Sequence, residues 1–465
     1  MSQSLQDGQL KLTPELIQRY NVDGPRYTSY PTAPQWHDGV TGIEYKEGLF
    51  SVGREDRDLS LYIHIPFCDK RCLFCACNVV IRKQKDAIGD RYLDALEKEI
   101  LMVLDNLGCR SRLKQVHLGG GTPTYLSDTQ LQRLVSMLKT HFDLTSCEEM
   151  SIELDPRTMN PDRLTVLHEL GFNRLSFGVQ DMTKKVQKAI NREHSFESID
   201  CLFKRARELG IKGINVDLIY GLPHQTPERF QETLQAIQSL KPDRMALYSY
   251  AHVPWLQEHQ KALEKQTLPE PEEKIALFLQ AQHFLLAQGY IAIAMDHYAL
   301  AEDEMAQAFY NGGLCRNFMG YSTLPTTDYI GLGVSAIGYI DGRYIQNTRA
   351  LEEYYQSIEE GALPTHRGLH LSQEDLARKW VIEQLMCQFS VDKNVFKQGF
   401  NVDFDTFFEQ EQGHLASCEQ EGLLDRSETT IQLTPLGKLF VRNVCMGFDA
   451  YFQSKSPTQR FSKTV

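Results

Sequence analysis

Short β-rich segments alternate with longer amphipathic helical segments from about residue 58 onward, and this alternation constrains the fold more than any other feature. Helical stretches such as RYLDALEKEILMVLDNL and SDTQLQRLVSMLKTHF separate the β-rich segments. Six β/α units predict a mainly parallel α/β sheet, open or closed into a barrel. The six predicted strands are LSLYIHI, QVHLGGG, MSIELD, RLSFGVQ, INVDLIYG and RMALYSYA.

Unusual residues stand where the predicted strands end. They are Cys68, the run Gly119–Gly121, Glu153, Gln180 and Asp217. Because the carboxyl ends of parallel strands meet at one edge of a sheet, we expect these residues to lie together there. The sequence therefore predicts a ligand site at this edge.

Two segments of different character flank the alternating region. Residues 1–55 are polar and contain GPRYTSYPTAPQW, whose prolines oppose long regular elements, so we expect an ordered arm on the main domain. After about residue 360, LSQEDLARKWVIEQLMC predicts a helix and GLLDRSETTIQLTPLGKLFV a short hairpin followed by a helix. The predicted division is an N-terminal arm at 1–55, a catalytic domain at 56–358 and a mainly helical, winged-helix-like domain at 359–465.

Composition and charge exclude several classes of function. The net charge of −12, and the 7 Lys and Arg against 13 Asp and Glu between residues 368 and 450, have the wrong sign for contact with nucleic acid. No apolar run is long enough to span a membrane, and the polar start MSQSLQDGQLKL lacks the apolar core of a secretory signal. Eleven cysteines, an odd number in a long chain, are untypical of a disulfide framework, so we expect a cytoplasmic location.

The stretch CDKRCLFCAC carries four cysteines, Cys68, Cys72, Cys75 and Cys77, on the loop after the first predicted strand. Four clustered thiols indicate a metal site, and both zinc and an iron–sulfur cluster accept four cysteine ligands. From the cysteines alone, a zinc knuckle and an iron–sulfur site remain alternatives. A reducing compartment would keep these thiols free to bind either.

The spacing C-x3-C-x2-C, with Phe74 before the third cysteine and the GGGTP run, resembles the radical S-adenosylmethionine (SAM) superfamily. This resemblance implies a three-quarter (β/α)6 barrel and one 4Fe-4S cluster on Cys68, Cys72 and Cys75. The fourth iron is then open to SAM, whose reductive cleavage yields a hydrogen-abstracting radical. Since a fourth thiolate would close that iron, we expect Cys77 not to be a ligand.

The segments YNVDGPRYTSYPTAP, LGGGTPTYL, SFGVQD, VDLIYGLPHQT, CRNFMGYST and GLGVSAIGYI together resemble the oxygen-independent coproporphyrinogen III oxidase (dehydrogenase) family over nearly the whole chain. The resemblance implies conversion of two propionates of coproporphyrinogen III to vinyl groups, giving protoporphyrinogen IX in haem biosynthesis. A radical abstracts hydrogen from the propionate β-carbon, CO2 leaves, and an acceptor takes the remaining electron. We expect a monomer that receives electrons from a flavodoxin or ferredoxin.

Two other functions remain alternatives. One is a related radical SAM protein that acts on haem, as a methyltransferase or a haem chaperone; such relatives lack the GPRYTSYPTAP arm. The other, of a different class, is a zinc-binding regulatory protein with a winged-helix output domain.

The same resemblance implies two SAM molecules. Residues matched to the first SAM are Tyr62, the glycine loop with Gly120 and Gly121, Glu153 and Ile337. Residues matched to the second are Phe74, Gly121, Thr122, Gln180, Arg192, Asp217 and Ala251. We count Glu153 with the three cysteines as catalytic because a carboxylate can accept from both ribose hydroxyls, and we expect the glycines to admit SAM where a Cβ would collide. The alternatives are core packing for Tyr62 and Ile337 and a surface salt bridge for Arg192.

A substrate with four carboxylates on an apolar macrocycle needs cations and aromatic walls. The candidates are Arg26, Tyr27, Tyr30, Trp36, Arg316 and Phe318. Cys315 and Met319, which lie next to Arg316 and Phe318, depart from the family pattern. The family commonly has His at the position of Cys315 and Gln at the position of Met319. Lys70, Arg71, Arg82, Lys83 and Lys85 flank the cysteines as a docking surface for an acidic reductant or, alternatively, as a solvated face.

Overall fold

The computed structural model describes residues 12–324, 328–452 and 461–464. Residues 1–11, on which the expectation about a secretory signal rests, lie outside these ranges. Within them, no helix combines the length and apolar character that crossing a membrane requires.

The strands occur throughout the chain, and many are short. They are β1 Leu59–Ile65, β2 Phe67–Cys68, β3 Val80–Ile81, β4 Leu113–Gly120, β5 Glu149–Leu154, β6 Arg174–Gln180, β7 Gly213–Tyr220, β8 Arg244–Ser249, β9 Ile291–Ile293, β10 His297–Ala299, β11 Cys315–Asn317, β12 Gly320–Ser322, β13 Tyr329–Leu332, β14 Ile337–Ile340, β15 Arg343–Asn347, β16 Thr365–His370, β17 Ser390–Asp392, β18 Leu424–Arg426 and β19 Thr430–Leu433.

Helices separate most of the longer strands. They are α1 Pro14–Tyr20, α2 Gly42–Arg54, α3 Asp86–Leu107, α4 Asp128–His141, α5 Pro161–Leu170, α6 Lys184–Ala189, α7 Phe196–Glu208, α8 Pro227–Leu240, α9 Lys261–Glu264, α10 Pro271–Ala287, α11 Glu304–Tyr310, α12 Leu351–Glu359, α13 Gln373–Gln388, α14 Lys393–Phe400, α15 Phe404–Phe407, α16 Gln412–Gln420, α17 Pro435–Leu439 and α18 Val441–Met446. Short 3₁₀ turns span Ala33–Gln35, Pro123–Tyr125, Pro156–Thr158 and Glu258–Gln260.

One twelve-stranded sheet forms the centre of the molecule, in the order β16-β15-β14-β13-β1-β4-β5-β6-β7-β8-β10-β9. The six predicted strands are β1 and β4 to β8, and each pairs in parallel with its neighbour. Strands β9, β10 and β14 to β16 extend both edges with antiparallel pairs. The prediction of a mainly parallel α/β sheet is confirmed, and its strand order is open rather than closed.

Burial on both faces explains why the central strands are nearly continuous apolar segments. In β1 every residue except Tyr62 is buried, as expected for a parallel strand covered by helices on one side and by the barrel interior on the other. Helix α3 covers the outer face with Tyr92, Leu96, Ile100 and Val103, which are fully buried. Each such side chain contributes about 1.5–3 kcal/mol to folding.

The N-terminal arm is more regular than the sequence analysis predicts. Helix α2 is 13 residues long, begins with a capping box between Thr41 and Glu44, and packs against α3. Tyr45, Leu49 and Val52 form its buried face at helical spacing. The proline-rich stretch before α2 contains only the 3₁₀ turn Ala33–Gln35, as its prolines predict, while helix α2 itself was not predicted.

The C-terminal region contains the predicted helix, α13, and the predicted hairpin, β18 and β19, followed by α17 and α18. With β17 the hairpin forms a three-stranded sheet. A second hydrophobic cluster joins this region to the arm, since Ile17, Tyr27 and Tyr30 pack in it with the C-terminal phenylalanines. Strand β16 belongs to the central sheet, and the domain boundaries at 55/56 and 358/359 stay predictions.

Candidate active site

A cavity of about 250 Å3 opens at the carboxyl ends of β1 and β4 to β7. Most of the predicted site residues line it, although they come from distant parts of the chain. They are Cys68, Cys72, Phe74, Cys75, Gly120, Gly121, Thr122, Glu153, Gln180, Arg192 and Asp217. The structure therefore gathers these residues at the predicted edge of the sheet, while their individual roles stay predictions.

The cysteine loop faces this cavity with all four thiols. Every cysteine of the chain is a free thiol, and Cys68, Cys72, Cys75 and Cys77 all line the cavity. Across the described ranges, no three His, Cys, Asp or Glu side chains are arranged to hold a single metal ion. Cysteine thiolates are the usual ligands of iron–sulfur clusters, and these thiols all border one cavity. The residues present therefore fit a cluster.

Neighbouring groups distinguish the four thiols. Burial raises the pKa of Cys68 to about 12, while a hydrogen bond with Thr122 at 3.3 Å opposes that rise. A hydrogen bond from Cys77 lowers the pKa of Cys75 to about 7, and the same bond raises the pKa of Cys77.

Two arginines are directed at Cys72. Arg157 Nη2 and Arg192 Nη1 each donate to Cys72 Sγ at 3.4 Å, and both also contact Asp155. Although burial disfavours its charge, Arg192 and Arg157 hold the pKa of Asp155 below its usual value. Two guanidinium groups therefore lie beside the Cys72 thiol and the Asp155 carboxylate.

The glycine run is required by protein packing. A Cβ on Gly119 would lie 2.9 Å from Glu153 Oε1, and one on Gly120 would lie 2.7 Å from His64 Cε1. Gly120 also has φ +118°, which disfavours other residues, and a Cβ on Gly121 would meet the carbonyl oxygen of Pro66 at 2.6 Å. A Cβ at these positions would therefore collide with other residues of the protein. The absence of side chains here allows the end of β4 to approach β1 closely.

Glu153 is held at the cavity edge with its side chain 46% exposed. Gly120 N–H donates to Oε2 at 3.2 Å, and His117 Nε2 lies 3.4 Å from Oε1. These contacts fix the carboxylate while leaving it accessible, which a ligand with vicinal hydroxyls requires.

The residues matched to the second SAM are more enclosed. Gln180 and Arg192 are buried, and Asp217 accepts from Asn215 Nδ2 at 2.8 Å and from Ser176 Oγ at 3.1 Å. Burial and then the charge of Glu153 raise the pKa of Asp217 to about 6. Arg192 forms a buried ion pair with Asp155 at 3.2 Å, so the alternative of a surface salt bridge is wrong.

Three predicted residues do not line this cavity. Tyr62 stacks on His117 with ring centroids 5.9 Å apart, and its hydroxyl is hydrogen-bonded to His64 Nδ1. The carbonyl oxygen of Ala251 accepts from Gln260 Nε2, which also donates to Phe74. Ile337 packs beside the Trp36 cluster, and its binding role, like those of Tyr62 and Ala251, stays a prediction.

The aromatic residues proposed for substrate binding are mostly packed into cores. Tyr27 and Tyr30 are buried against the C-terminal region, and Trp36 stacks on Tyr344 with ring centroids 4.9 Å apart. The prediction that these rings form a free cavity wall therefore does not match their positions. Arg316 remains available, with its guanidinium 4.4 Å from the ring centroid of Tyr321.

The sequence analysis missed Asp155, Arg157 and Tyr248, which also line the cavity. Asp155 stands two residues after Glu153 at the end of the same strand, so its position was an available signal. Tyr248 lies within a predicted strand whose alternation points it into the barrel, but its sequence does not distinguish it from a core tyrosine.

Comparisons with known proteins agree with this geometry. The Radical SAM superfamily model matches residues 62–237, and the HemN C-terminal domain model matches residues 371–440. Curated relatives called oxygen-independent coproporphyrinogen III oxidase are 43% identical in Escherichia coli K12 and 41% identical in Pseudomonas aeruginosa, each covering 97% of this chain and 98% of the relative. The solved structure of coproporphyrinogen III oxidase (HemN) from Escherichia coli superposes with a TM-score of 0.88 at 41% identity, covering 93% of this chain and 100% of that one.

The open α/β sheet and the cysteine loop at its carboxyl edge define a radical SAM enzyme, an iron–sulfur class that uses SAM. The sequence identity of 43% to curated relatives then identifies the family within this class. The chain belongs to the oxygen-independent coproporphyrinogen III oxidase family and is an oxidoreductase.

Proposed function

We propose that this enzyme oxidatively decarboxylates two propionate side chains of coproporphyrinogen III to vinyl groups and so forms protoporphyrinogen IX. The single observation that carries the proposal is the cavity that gathers Cys68, Cys72, Cys75 and Glu153 in a chain 43% identical to an oxidase of that name. Each propionate, –CH2–CH2–COO⁻, loses one hydrogen atom, one CO2 and one electron to become –CH=CH2. No specific observation favours a haem methyltransferase, a haem chaperone or a zinc regulator.

The chain's own residues hold the reacting groups in this proposal. Cys68, Cys72 and Cys75 would hold a 4Fe-4S cluster, which together with SAM supplies one-electron reduction and hydrogen-atom abstraction when bound. Arg157 and Arg192 would place two positive charges beside the cluster ligand Cys72. Glu153 would orient one SAM through its ribose hydroxyls.

A second SAM is part of the proposal. Gln180, Arg192 and Asp217 form a polar group in the same cavity as Glu153, and burial raises the pKa of Asp217 to about 6. Equilibrium dialysis of cluster-loaded protein should give two SAM per chain, and Asp217→Ala should reduce this to one. A firm stoichiometry of one in the wild type would refute the second site.

The partners and location also belong to the proposal. Electrons from a flavodoxin or ferredoxin would enter beside the cysteine loop, and the enzyme would act as a cytoplasmic monomer. The free state of all eleven cysteines supports a reducing compartment.

An anaerobic assay tests the proposed reaction. Reconstituted enzyme, SAM, dithionite and coproporphyrinogen III should yield a product with two vinyl groups, together with 5′-deoxyadenosine and CO2. Glu153→Gln should keep the cluster but lose most of the activity. Cleavage of SAM without any vinyl product from the intact substrate would contradict the proposal.

A further inference from the structure

His297 faces the interior of the barrel, next to the candidate active site. Asp217, which lines the active-site cavity, pairs with Ala246 of β8, and Ala246 pairs in turn with His297 of β10. Directly paired residues share a face of the sheet, and neighbouring strands lie about 4.8 Å apart. His297 is therefore two strands from Asp217 on the same face, and the small side chain of Ala246 leaves space between them.

Asp296 fixes the orientation of this histidine. His297 Nδ1 donates to Asp296 Oδ1 at 2.7 Å, and the two side chains are only 11% and 10% exposed. Although burial disfavours its charge, the hydrogen bond and charge of His297 lower the pKa of Asp296. No described residue bonds to His297 Nε2, so this nitrogen is left for a ligand and donates when the ring is protonated.

Arg316 adds a cation that forms no ion pair with a described carboxylate within 4.0 Å, although its charge interacts with that of Asp296. Its guanidinium lies 4.4 Å from the ring centroid of Tyr321, and the His297 ring meets the same Tyr321 edge-on at 5.0 Å. Arg316 Nε donates only to the backbone oxygen of Tyr27, at 3.3 Å, and no carboxylate of the described residues lies within 4.0 Å of Arg316 or Arg26. The charge of Asp296 interacts with those of Arg316 and Arg26, but this acid is already hydrogen-bonded to His297. Asp217 is a second acid that interacts with His297.

Aromatic rings surround these polar groups. Tyr248 lines the active-site cavity and contacts His297 with ring centroids 5.9 Å apart. The ring of Tyr321 packs against the guanidinium of Arg316. An excess of positive charge between aromatic walls suits a carboxylate attached to an apolar ring.

We propose that His297, held by Asp296, and Arg316 together bind a propionate carboxylate of the tetrapyrrole substrate. The proposal rests on the proposed function for the identity of the substrate and assigns these residues to binding rather than to hydrogen abstraction. His297 and Arg316 are the contact residues, and Asp296 is a positioning residue that acts through His297.

The test compares His297→Gln and Arg316→Met with a matched control, His283→Gln, which replaces an exposed histidine on α10. In each binding-site variant the KM for coproporphyrinogen III should rise about tenfold or more, while kcat and the KM for SAM stay within about twofold. Arg316→Lys should restore part of the affinity because it keeps the charge. The control should behave as the wild type, and thermal unfolding checks that every variant is folded.

A binding measurement without turnover separates this inference from the proposed reaction. Coproporphyrin III, the oxidised macrocycle with the same four carboxylates, should bind the two variants about tenfold more weakly, whereas its tetramethyl ester should bind variants and wild type equally. Equal loss for acid and ester would overturn the carboxylate contact, as would unchanged affinity and KM. If the wild type makes no vinyl product but the acid-specific loss remains, the proposed reaction fails and the binding site stands.

A free small anion is the other source of the same chemistry. Phosphate and acetate should compete with coproporphyrin III in the wild type and lose this effect in Arg316→Met. If either anion raises the unfolding temperature through Arg316 without competing with the porphyrin, the site takes a free anion and the inference about the substrate is overturned.

Discussion

At the scale of single residues, Cys77 is the thiol whose role differs from that of its neighbours. It lies in the same cavity as the other three thiols and hydrogen-bonds to Cys75. Cys77→Ser keeps a donor at this position, so the variant should still assemble a four-iron cluster whose absorbance changes when SAM is added. Cys68→Ala, Cys72→Ala and Cys75→Ala should each abolish assembly, measured as iron content and visible absorbance. Complete loss of the cluster in Cys77→Ser would mean that all four cysteines are ligands.

Gly120 offers a second prediction at this scale. Gly120→Ala should destabilise the fold by about 1–3 kcal/mol because its φ is +118° and the new Cβ would meet His64. Gly108→Ala is the matched control, since Gly108 has φ +69° but a Cβ there would have no neighbouring atom within 4 Å. Urea unfolding should show a larger loss for Gly120→Ala than for Gly108→Ala. Equal losses would mean that backbone strain alone explains both.

At the scale of elements, Glu99 joins α3 to the strands and helix that follow the barrel. Its carboxylate accepts from Gly333 N–H, Asn347 Nδ2 and Tyr354 Oη at 2.6–2.8 Å. Burial nevertheless raises the pKa of Glu99 to about 7 from its ordinary value of 4.5. Between these two pH values, Glu99 therefore keeps its proton in the folded protein and releases it in the unfolded chain.

Because of this proton, the contribution of Glu99 to the free energy of unfolding depends on pH. The free energy of unfolding of the wild type, minus that of Glu99→Gln, should fall as the pH rises from about 4.5 to about 7, by on the order of 3 kcal/mol. Urea titrations at several pH values measure this difference, and the other buried carboxyls cancel because both proteins contain them. A difference that stays constant with pH would contradict the raised pKa.

The elements also show what the sequence can predict. The strands β1 and β4 to β8 were predictable because each is a continuous apolar segment buried on both faces. The edge strands β9, β10 and β14 to β16 were missed, since three to six residues with distant partners carry little local pattern. His297 is part of such a three-residue strand, so its position beside Asp217 depends on a register that only the structure gives.

At the scale of the whole molecule, the arm and the C-terminal region form one unit. The buried Arg442 donates to Pro25 O at 2.8 Å and to Lys463 O at 3.1 Å, which joins the arm to the end of the chain. Tyr27 donates to Asp449 at 3.1 Å in the same region. A sequence cannot distinguish an aromatic residue packed on a partner about 400 positions away from one that lines a cavity, which explains the error for Tyr27 and Tyr30.

Charge on the outer surface gives a prediction at this scale. Arg82, Lys83 and Lys85 are exposed beside the cysteine loop of an otherwise acidic chain. Reversing all three charges to Glu should slow turnover about tenfold with an acidic flavodoxin or ferredoxin at low salt, and should leave the rate with dithionite unchanged. Reversal of Lys139, Lys212 and Lys241, which are exposed near the amino ends of the strands, is the control. Equal slowing with both reductants would refute a docking surface.

The fate of one hydrogen tests the central claim most directly. Coproporphyrinogen III deuterated at the propionate β-carbons should be incubated anaerobically with cluster-loaded enzyme, SAM and reductant, and the products analysed by mass spectrometry. The proposed reaction predicts one deuterium in 5′-deoxyadenosine for each vinyl group formed. Vinyl product accompanied by unlabelled 5′-deoxyadenosine would contradict hydrogen abstraction from that carbon and with it the function proposed for this site.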